Sequence, residues 1–178
     1  MEESCLYKSP IGILIITETD GKITSLYPYR KEDGSISDVD AKINQQEPCN
    51  IEYSGVYSHE QKSALLKEAC IQLGEYFQGK RKTFNLPIKY TGTLFQESVW
   101  KELQNIPYGE TRSYEDIAAK IGNPKAVRAV GQANNKNKIL LIIPCHRVIH
   151  KNGNISGFAC GIETKKYLLN LERLHFFK

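Results

Sequence analysis

The chain has 178 residues, 40% of them apolar and 25% charged, which excludes disordered and low-complexity classes and suits one domain or two small ones. The net charge of +4 hides an asymmetry: residues 1–90 carry 11 basic and 13 acidic side chains, residues 91–178 carry 13 and 7, and within 112–151 eight basic residues face only Glu115 and Asp116. An anionic partner for that segment and an ordinary solvated face both account for such a patch.

The N-terminus, Met1-Glu2-Glu3, has neither the basic nor the apolar region of a secretory signal. Residues 5–29 predict a hairpin: Ile11, Ile13 and Ile15 alternate with Gly12, Leu14 and Ile16, and Asp20-Gly21 marks a turn before Ile23 and Leu26. Residues 30–58 are turn-rich and acidic, with Asp33-Gly34 and Pro48. From His59 to Gln78 the period becomes helical through Leu65, Ala69, Leu73 and Tyr76, with Gly79 as the stop. Lys80-Arg81-Lys82 and Pro87 suggest an interdomain linker near 80–92.

The second half begins with an amphipathic helix, 94–105, with Val99, Trp100 and Leu103 inward, ended by Pro107-Tyr108-Gly109. Ser113 and Asp116 form a capping-box pattern before Ile117, Ala118 and Ile121, and Gly122 stops that helix. Asn123 is placed to cap a further helix, from about Lys125 to Ala133, with Pro124 at its first position. Two short helices joined by a tight turn read as a helix-turn-helix, inside the basic segment. The second helix presents Ala126, Arg128, Ala129, Gly131, Gln132 and Ala133. A base-reading helix offers several Arg, Asn or Gln side chains. This one offers small residues and one long cation, which fits close, sequence-blind approach to a nucleic acid, or packing of the small residues against the protein.

Ile139–Ile143 reads as a buried strand, is the longest apolar run, and is far short of the ~20 residues of a membrane span. Pro144 would break its ladder and present Cys145, with His146 and Arg147 beside the thiol to lower its pKa. The five cysteines, Cys5, Cys49, Cys70, Cys145 and Cys160, are odd in number and include no C-x-x-C pair. They predict a reduced chain with no disulfide framework and no metal site. A Cys-His dipeptide alone does not single out a nucleophile. A helix at 163–175 aligns Leu168, Leu171 and Leu174, and Glu172 borders that face. Glu172 is then either a buried partner for an imidazole or a surface residue paired with Lys165 or Arg173.

The run Pro144-Cys145-His146-Arg147-Val148 resembles the signature of the O6-alkylguanine-DNA alkyltransferases, the methylated-DNA–protein-cysteine S-methyltransferases. The likeness continues through Tyr108-Gly109-Glu110-Thr111, Ser113-Tyr114, the stretch from Gly122 to Gly131, Asn137, and Lys166-Tyr167-Leu168-Leu169 with Leu171-Glu172. It covers about 93–178; the first 90 residues match more loosely, through Ser9-Pro10-Ile11-Gly12 and the Gly21 turn.

This resemblance implies an α+β, two-domain chain. Residues 1–88 would form a ribonuclease H-like α/β scaffold. Residues 93–178 would form a helix-turn-helix, winged-helix-like domain that binds DNA and transfers the alkyl group. It implies a cofactor-free, stoichiometric enzyme of DNA repair. Its partner would be double-stranded DNA containing O6-alkylguanine, bound through the minor groove with the base flipped out. The protein would act as a monomer in the cytoplasm, or in the nucleus of a eukaryotic source.

By the same resemblance Cys145 is the alkyl acceptor, His146 deprotonates it through a water, and Glu172 orients His146. Tyr114 would donate to the departing guanine and press on the phosphate. Asn137 would hold the cysteine loop. Arg128 would replace the extruded base, Asn123 would contact the DNA backbone, and Ala126, Ala129 and Gly131 would allow close approach. Phe158, Ala159 and Cys160 would line the substrate pocket. Phe158 stands where many members have Tyr, Ala159 lacks a hydroxyl for O6, and Cys160 is bulkier than the usual Gly. Cys5 is not accompanied by the Cys and His residues of zinc-binding members, so no zinc is expected. Two other classes fit the residues: a DNA-binding lesion sensor without transfer, and a cysteine hydrolase using Cys145, His146 and Glu172 with turnover.

Overall fold

The computed structural model describes residues 1–29, 56–57, 63–155 and 157–176. The turn-rich stretch expected at 30–58 falls almost wholly outside the described residues, as do residues 59–62 of the helix expected from His59. The chain divides into two units, one of residues 1–81 and 85–88, the other of 82–84 and 89–178. No helix among the described residues is long and apolar enough to cross a membrane.

The first unit is built on an antiparallel sheet in the order β3-β2-β1-β4, from β1 (Glu2–Ser9), β2 (Gly12–Thr19), β3 (Lys22–Pro28) and β4 (Val56–Tyr57). The expected hairpin is therefore the second half of a meander. Residues 2–9 add a strand through a two-residue turn at Pro10-Ile11, with Ser9 paired to Gly12. Asp20 and Gly21 both have positive φ, 51° and 74°, the geometry whose twist matches the flanking strands. Ile23 and Leu26 are three residues apart, yet both are buried. A register shift opposite Thr17 and Glu18 leaves Thr24 unpaired and resets the alternation, so that both side chains reach the core.

Helix α1 (Ala64–Phe77) is capped by the Ser63 hydroxyl, which accepts from the Leu66 amide. It buries Leu66, Ala69, Cys70, Leu73, Tyr76 and Phe77. Gly79, at φ 71°, ends it; the amides of Gly79 and Lys80 reach back to the carbonyls of Tyr76 and Glu75. The segment expected as a linker does not run free. Ile23 donates to the carbonyl of Pro87, Ile88 bridges Ile23, and the buried Gln72 accepts from the Asn85 amide.

In the second unit, α2 (Leu94–Leu103) starts at a capping box of Thr93 and Gln96 and buries Val99, Trp100 and Leu103. The Trp100 indole donates to the carbonyl of Ala133. Strand β5 (Arg112–Ser113) pairs in parallel with β6 (Val148–Ile149). Ser113 is both strand end and cap of α3 (Tyr114–Lys120): its hydroxyl accepts from the Asp116 amide at 3.0 Å, and the Asp116 carboxylate accepts from the Ser113 amide at 2.8 Å.

Four expectations change here. The second helix of the pair, α4 (Val127–Asn135), starts at Val127, and its N-cap is Ala126 with no side-chain bond. The Asn123 carbonyl accepts from the Ala126 amide, so Pro124 and Lys125 form a turn where a helix start was expected. Ala133 is 1% exposed and faces α2, not solvent. The apolar run 139–143 is no strand: it coils tightly, with Ile143 donating to Ile139, Ile142 to Leu140, and Leu141 at φ 68°. Burial without a ladder is possible because turn bonds and the Asn137 side chain satisfy the backbone. In α5 (Ile162–His175), Leu174 is 67% exposed, and the buried face is Lys165, Leu168, Leu171 and Glu172.

Ser113→Ala should remove the hydroxyl half of the α3 cap, leaving the residue-113 amide still donating to Asp116, and lower stability by about 1 kcal/mol. Urea unfolding followed by the single tryptophan, Trp100, measures it; an unchanged midpoint would show that the cap is dispensable.

Candidate active site

The tight coil at 139–143 delivers the chain into a short 3-10 helix, Cys145–Arg147, in which all three side chains are buried. Asn137 organises the approach. Its amide nitrogen donates to the Ile143 carbonyl at 2.8 Å and to the Cys145 sulfur at 3.2 Å, and its oxygen accepts from the Ile139 amide. The thiol is 3% exposed. Burial pushes it up to about 11, against the opposing effects of the Asn137 bond and the Lys165 ammonium. At neutral pH it is a thiol and needs a base.

His146 is fully buried and does not face the sulfur through Nε2. That nitrogen lies 2.8 Å from Glu172 Oε1, while Nδ1 has no hydrogen-bond partner among the described residues. Burial lowers the imidazole pKa, with Glu172 opposing, so the resting ring is neutral. Burial would raise the Glu172 carboxyl, but His146 and Arg147 outweigh it and hold it well below the usual range. The structure corrects the expectation for Arg147. Its guanidinium turns away from the thiol and grips Glu172 with Nε and Nη2, each at 2.9 Å, while Nη1 donates to the Ile106 carbonyl at 2.7 Å. The Gly109 amide donates to Glu172 as well, at 3.0 Å. Glu172 is thus no surface partner of Lys165 or Arg173.

Tyr114, at the start of α3, is 6% exposed, and burial raises its pKa, so it stays a phenol. The Lys165 ammonium approaches its hydroxyl at 3.5 Å and donates to the Val148 carbonyl at 2.5 Å. Lys165 is fully buried, and burial lowers its pKa to about 8, with Cys145 opposing. Sequence reasoning missed Lys165 as a site residue. The signal was present: it stands three and seven residues before Leu168 and Glu172, on the same helix face.

The structure therefore brings Cys145, His146, Glu172, Asn137 and Tyr114 into one buried polar cluster and adds Arg147 and Lys165. The other expected residues lie on the helix pair and on the turn into α5. Arg128 and Asn123 are exposed, and Ala126, Ala129 and Gly131 are half-buried on α4 and its approach. A side chain at Gly131 would meet the Tyr114 ring at 3.9 Å. Phe158 and Ala159 are half-buried and Cys160 is buried, in the turn that leads into α5. Seven of the eight basic residues of 112–151 are exposed, Arg147 being the exception. Among the described residues no group of three or more His, Cys, Asp or Glu could hold a metal ion.

Residues 94–174 match the family model described as "6-O-methylguanine DNA methyltransferase, DNA binding domain", and residues 5–90 match its "ribonuclease-like domain". The chain is similar to a constitutive methylated-DNA–protein-cysteine methyltransferase of Bacillus subtilis, 48% identical over 95% of this chain and 94% of the relative. A methylated-DNA–protein-cysteine methyltransferase of Haemophilus influenzae is 36% identical over 96% of this chain and 86% of its own. Among solved structures, the O6-methylguanine methyltransferase of Mycobacterium tuberculosis aligns with a TM-score of 0.75 at 36% identity, over 98% of this chain and 94% of that one. A Mycobacterium tuberculosis structure in complex with DNA aligns at 0.73 and 37% identity, over 96% and 92%.

Glu172→Gln should destabilise the protein by about 3–5 kcal/mol at neutral pH, because Arg147 would be left buried against a neutral side chain. The folded carboxyl lies below its ordinary value of 4.5. Its stabilisation is therefore complete above that value and lost progressively as the pH falls below it, through the lowered folded pKa. The gap between wild type and variant should close on acidification; a gap independent of pH would show that the Glu172 charge does not matter.

Proposed function

The chain belongs to the 6-O-methylguanine DNA methyltransferase family, and from that premise we propose that it repairs double-stranded DNA by moving the alkyl group of O6-alkylguanine onto Cys145. The observation that supports this reading is the single buried cluster in which a protonated thiol, a neutral imidazole and a phenol converge. The Cys145 proton passes to His146 Nδ1, through a bridging water. The thiolate attacks the alkyl carbon, the sulfur–carbon bond forms, and the bond from that carbon to O6 breaks. The electron pair moves into the purine, which takes a proton from the Tyr114 hydroxyl, and Lys165 is positioned to resupply the phenol. The product is a thioether, which the cluster has no means of cleaving, so each molecule reacts once. No cofactor takes part.

Access to the guanine in a duplex requires the base to leave the stack. Arg128, exposed on α4 among Ala126, Ala129 and Gly131, is the side chain that fills the space left behind. Asn123, exposed in the preceding turn, contacts the backbone, and the exposed cations of 112–151 supply phosphate contacts without reading sequence. Phe158, Ala159 and Cys160 close the pocket on the α5 side; without a hydroxyl on Ala159, backbone amides carry recognition of O6. We further propose that the protein acts as a monomer, in the cytoplasm or, for a eukaryotic source, in the nucleus.

Incubation with a duplex containing O6-methylguanine should add the mass of one methylene to the Cys145 peptide, once per molecule, and Cys145→Ser should abolish it. DNA binding without the adduct would favour a lesion sensor; ester turnover independent of DNA would favour a hydrolase. Arg128→Ala should slow repair of duplex DNA at least ~10-fold while leaving reaction with free O6-benzylguanine nearly unchanged, because only the duplex requires unstacking. Equal losses on both substrates would remove Arg128 from base extrusion.

A further inference from the structure

We propose that Arg147 is a positioning residue for the alkyl transfer: by saturating the Glu172 carboxylate it keeps the His146 proton on Nε2 and leaves Nδ1 as the nitrogen that receives the thiol proton. The role rests on the alkyl-transfer reading; the proton placement does not.

A carboxylate offers two lone-pair sites on each oxygen. On Glu172 all four are filled. Oε1 meets His146 Nε2 and Arg147 Nη2, and Oε2 meets Arg147 Nε and the Gly109 amide. Three of these four are obligatory donors, since neither a guanidinium nor a backbone amide can accept. The bidentate fork keeps the carboxylate ionised, so the fourth neighbour must also donate, and His146 Nε2 carries the hydrogen. A neutral imidazole has one N–H. Nδ1 is therefore the basic nitrogen, and it is the buried ring atom that has no partner among the described residues.

When the Cys145 S–H bond breaks, the electron pair stays on sulfur and the proton forms the Nδ1–H bond. It goes no further, because the Glu172 lone pairs are occupied. The guanidinium cannot swing away with its anion. It is tied to the Ile106 carbonyl and lies 5.7 Å from the centre of the Tyr108 ring.

The charged and titratable groups bearing on His146 are Glu172 and Lys165 from α5 and Cys145 and Arg147 from its own turn. Both cations disfavour the imidazolium and Glu172 favours it. Arg147 therefore acts by direction and not by raising basicity. A lysine would keep the charge but lose the fork that holds both oxygens.

The test uses the full chain. Nitrogen-15 NMR of the histidine rings, with His146 assigned by the loss of its signals in His146→Gln, should show the Nε2–H tautomer in the wild type at neutral pH. Arg147→Lys should show a mixture of tautomers, single-turnover methyl transfer slowed ~10–100-fold, and a displaced pH–rate midpoint. A wild-type ring protonated on Nδ1 overturns the proposal without need of any variant. So does an Arg147→Lys protein with wild-type tautomer, rate and pH profile. A correct wild-type tautomer with no methyl transfer would sink the alkyl-transfer reading, and Arg147's role in it, while leaving the proton placement standing.

Discussion

Burying the Glu172 carboxylate at 1% exposure would be strongly unfavourable in isolation, and the second unit is arranged around making it tolerable. Its four donors come from two places along the chain, the loop after α2 and the 3-10 turn. Satisfying one anion therefore locks α5 to the cysteine turn and to the Tyr108-Gly109 loop at once. A buried ion pair adds little net stability over a well-packed apolar pair, but breaking it is costly. The same contact that specifies the local fold thus also fixes the imidazole beside the thiol.

The chemistry is divided along α5. Lys165 and Glu172 are seven residues apart, two turns, or about 10 Å along the axis, with Leu168 buried between them on the same face. In the proposed mechanism one helix thereby supports a proton-accepting end, Glu172 with His146, and a proton-donating end, Lys165 with Tyr114. Cys145 responds to the Lys165 end: burial raises its thiol, and Lys165 opposes that rise. A thiol left protonated at rest does not react indiscriminately with passing electrophiles, whereas one activated only with a base held at its side reacts when a substrate occupies the pocket.

Much of this was legible from residue order, and what was not has a physical reason in each case. Asp20-Gly21, the Ser113 and Asp116 box and the Gly79 stop were readable because they depend on local backbone geometry alone. The strand expected at 139–143 was misread because apolar runs report burial, not ladder formation. Here Leu141 takes a left-handed conformation and Asn137 supplies the bonds a neighbouring strand would have supplied. The three-residue spacing of Ile23 and Leu26 contradicts simple alternation, and only the bulge at Thr24 resolves it. Within the site, the resemblance in the Pro-Cys-His-Arg-Val run pointed to Cys145, His146 and Glu172. The partners of Arg147 and Lys165 depend on tertiary contacts that no local pattern encodes, although the helical spacing of Lys165 with Glu172 placed both on one face.

The charge asymmetry also changes meaning once Arg147 is seen buried. Of eight basic residues in 112–151, it alone is spent internally, against Glu172, which lies outside the segment. The surface is left with seven cations, opposed by Glu115 and Asp116 within the segment and by Glu110 just outside it, which pairs with Arg112. These side chains sit on β5, α3, α4 and the loops beside them, while α4 itself offers little beyond Arg128, Gln132, Asn135 and small residues. Affinity spread over phosphates and falling steeply with salt is what a protein that must inspect every sequence needs. Recognition can then be deferred to the buried cluster, where it depends on whether an alkyl carbon reaches the sulfur and not on the bases that flank the lesion.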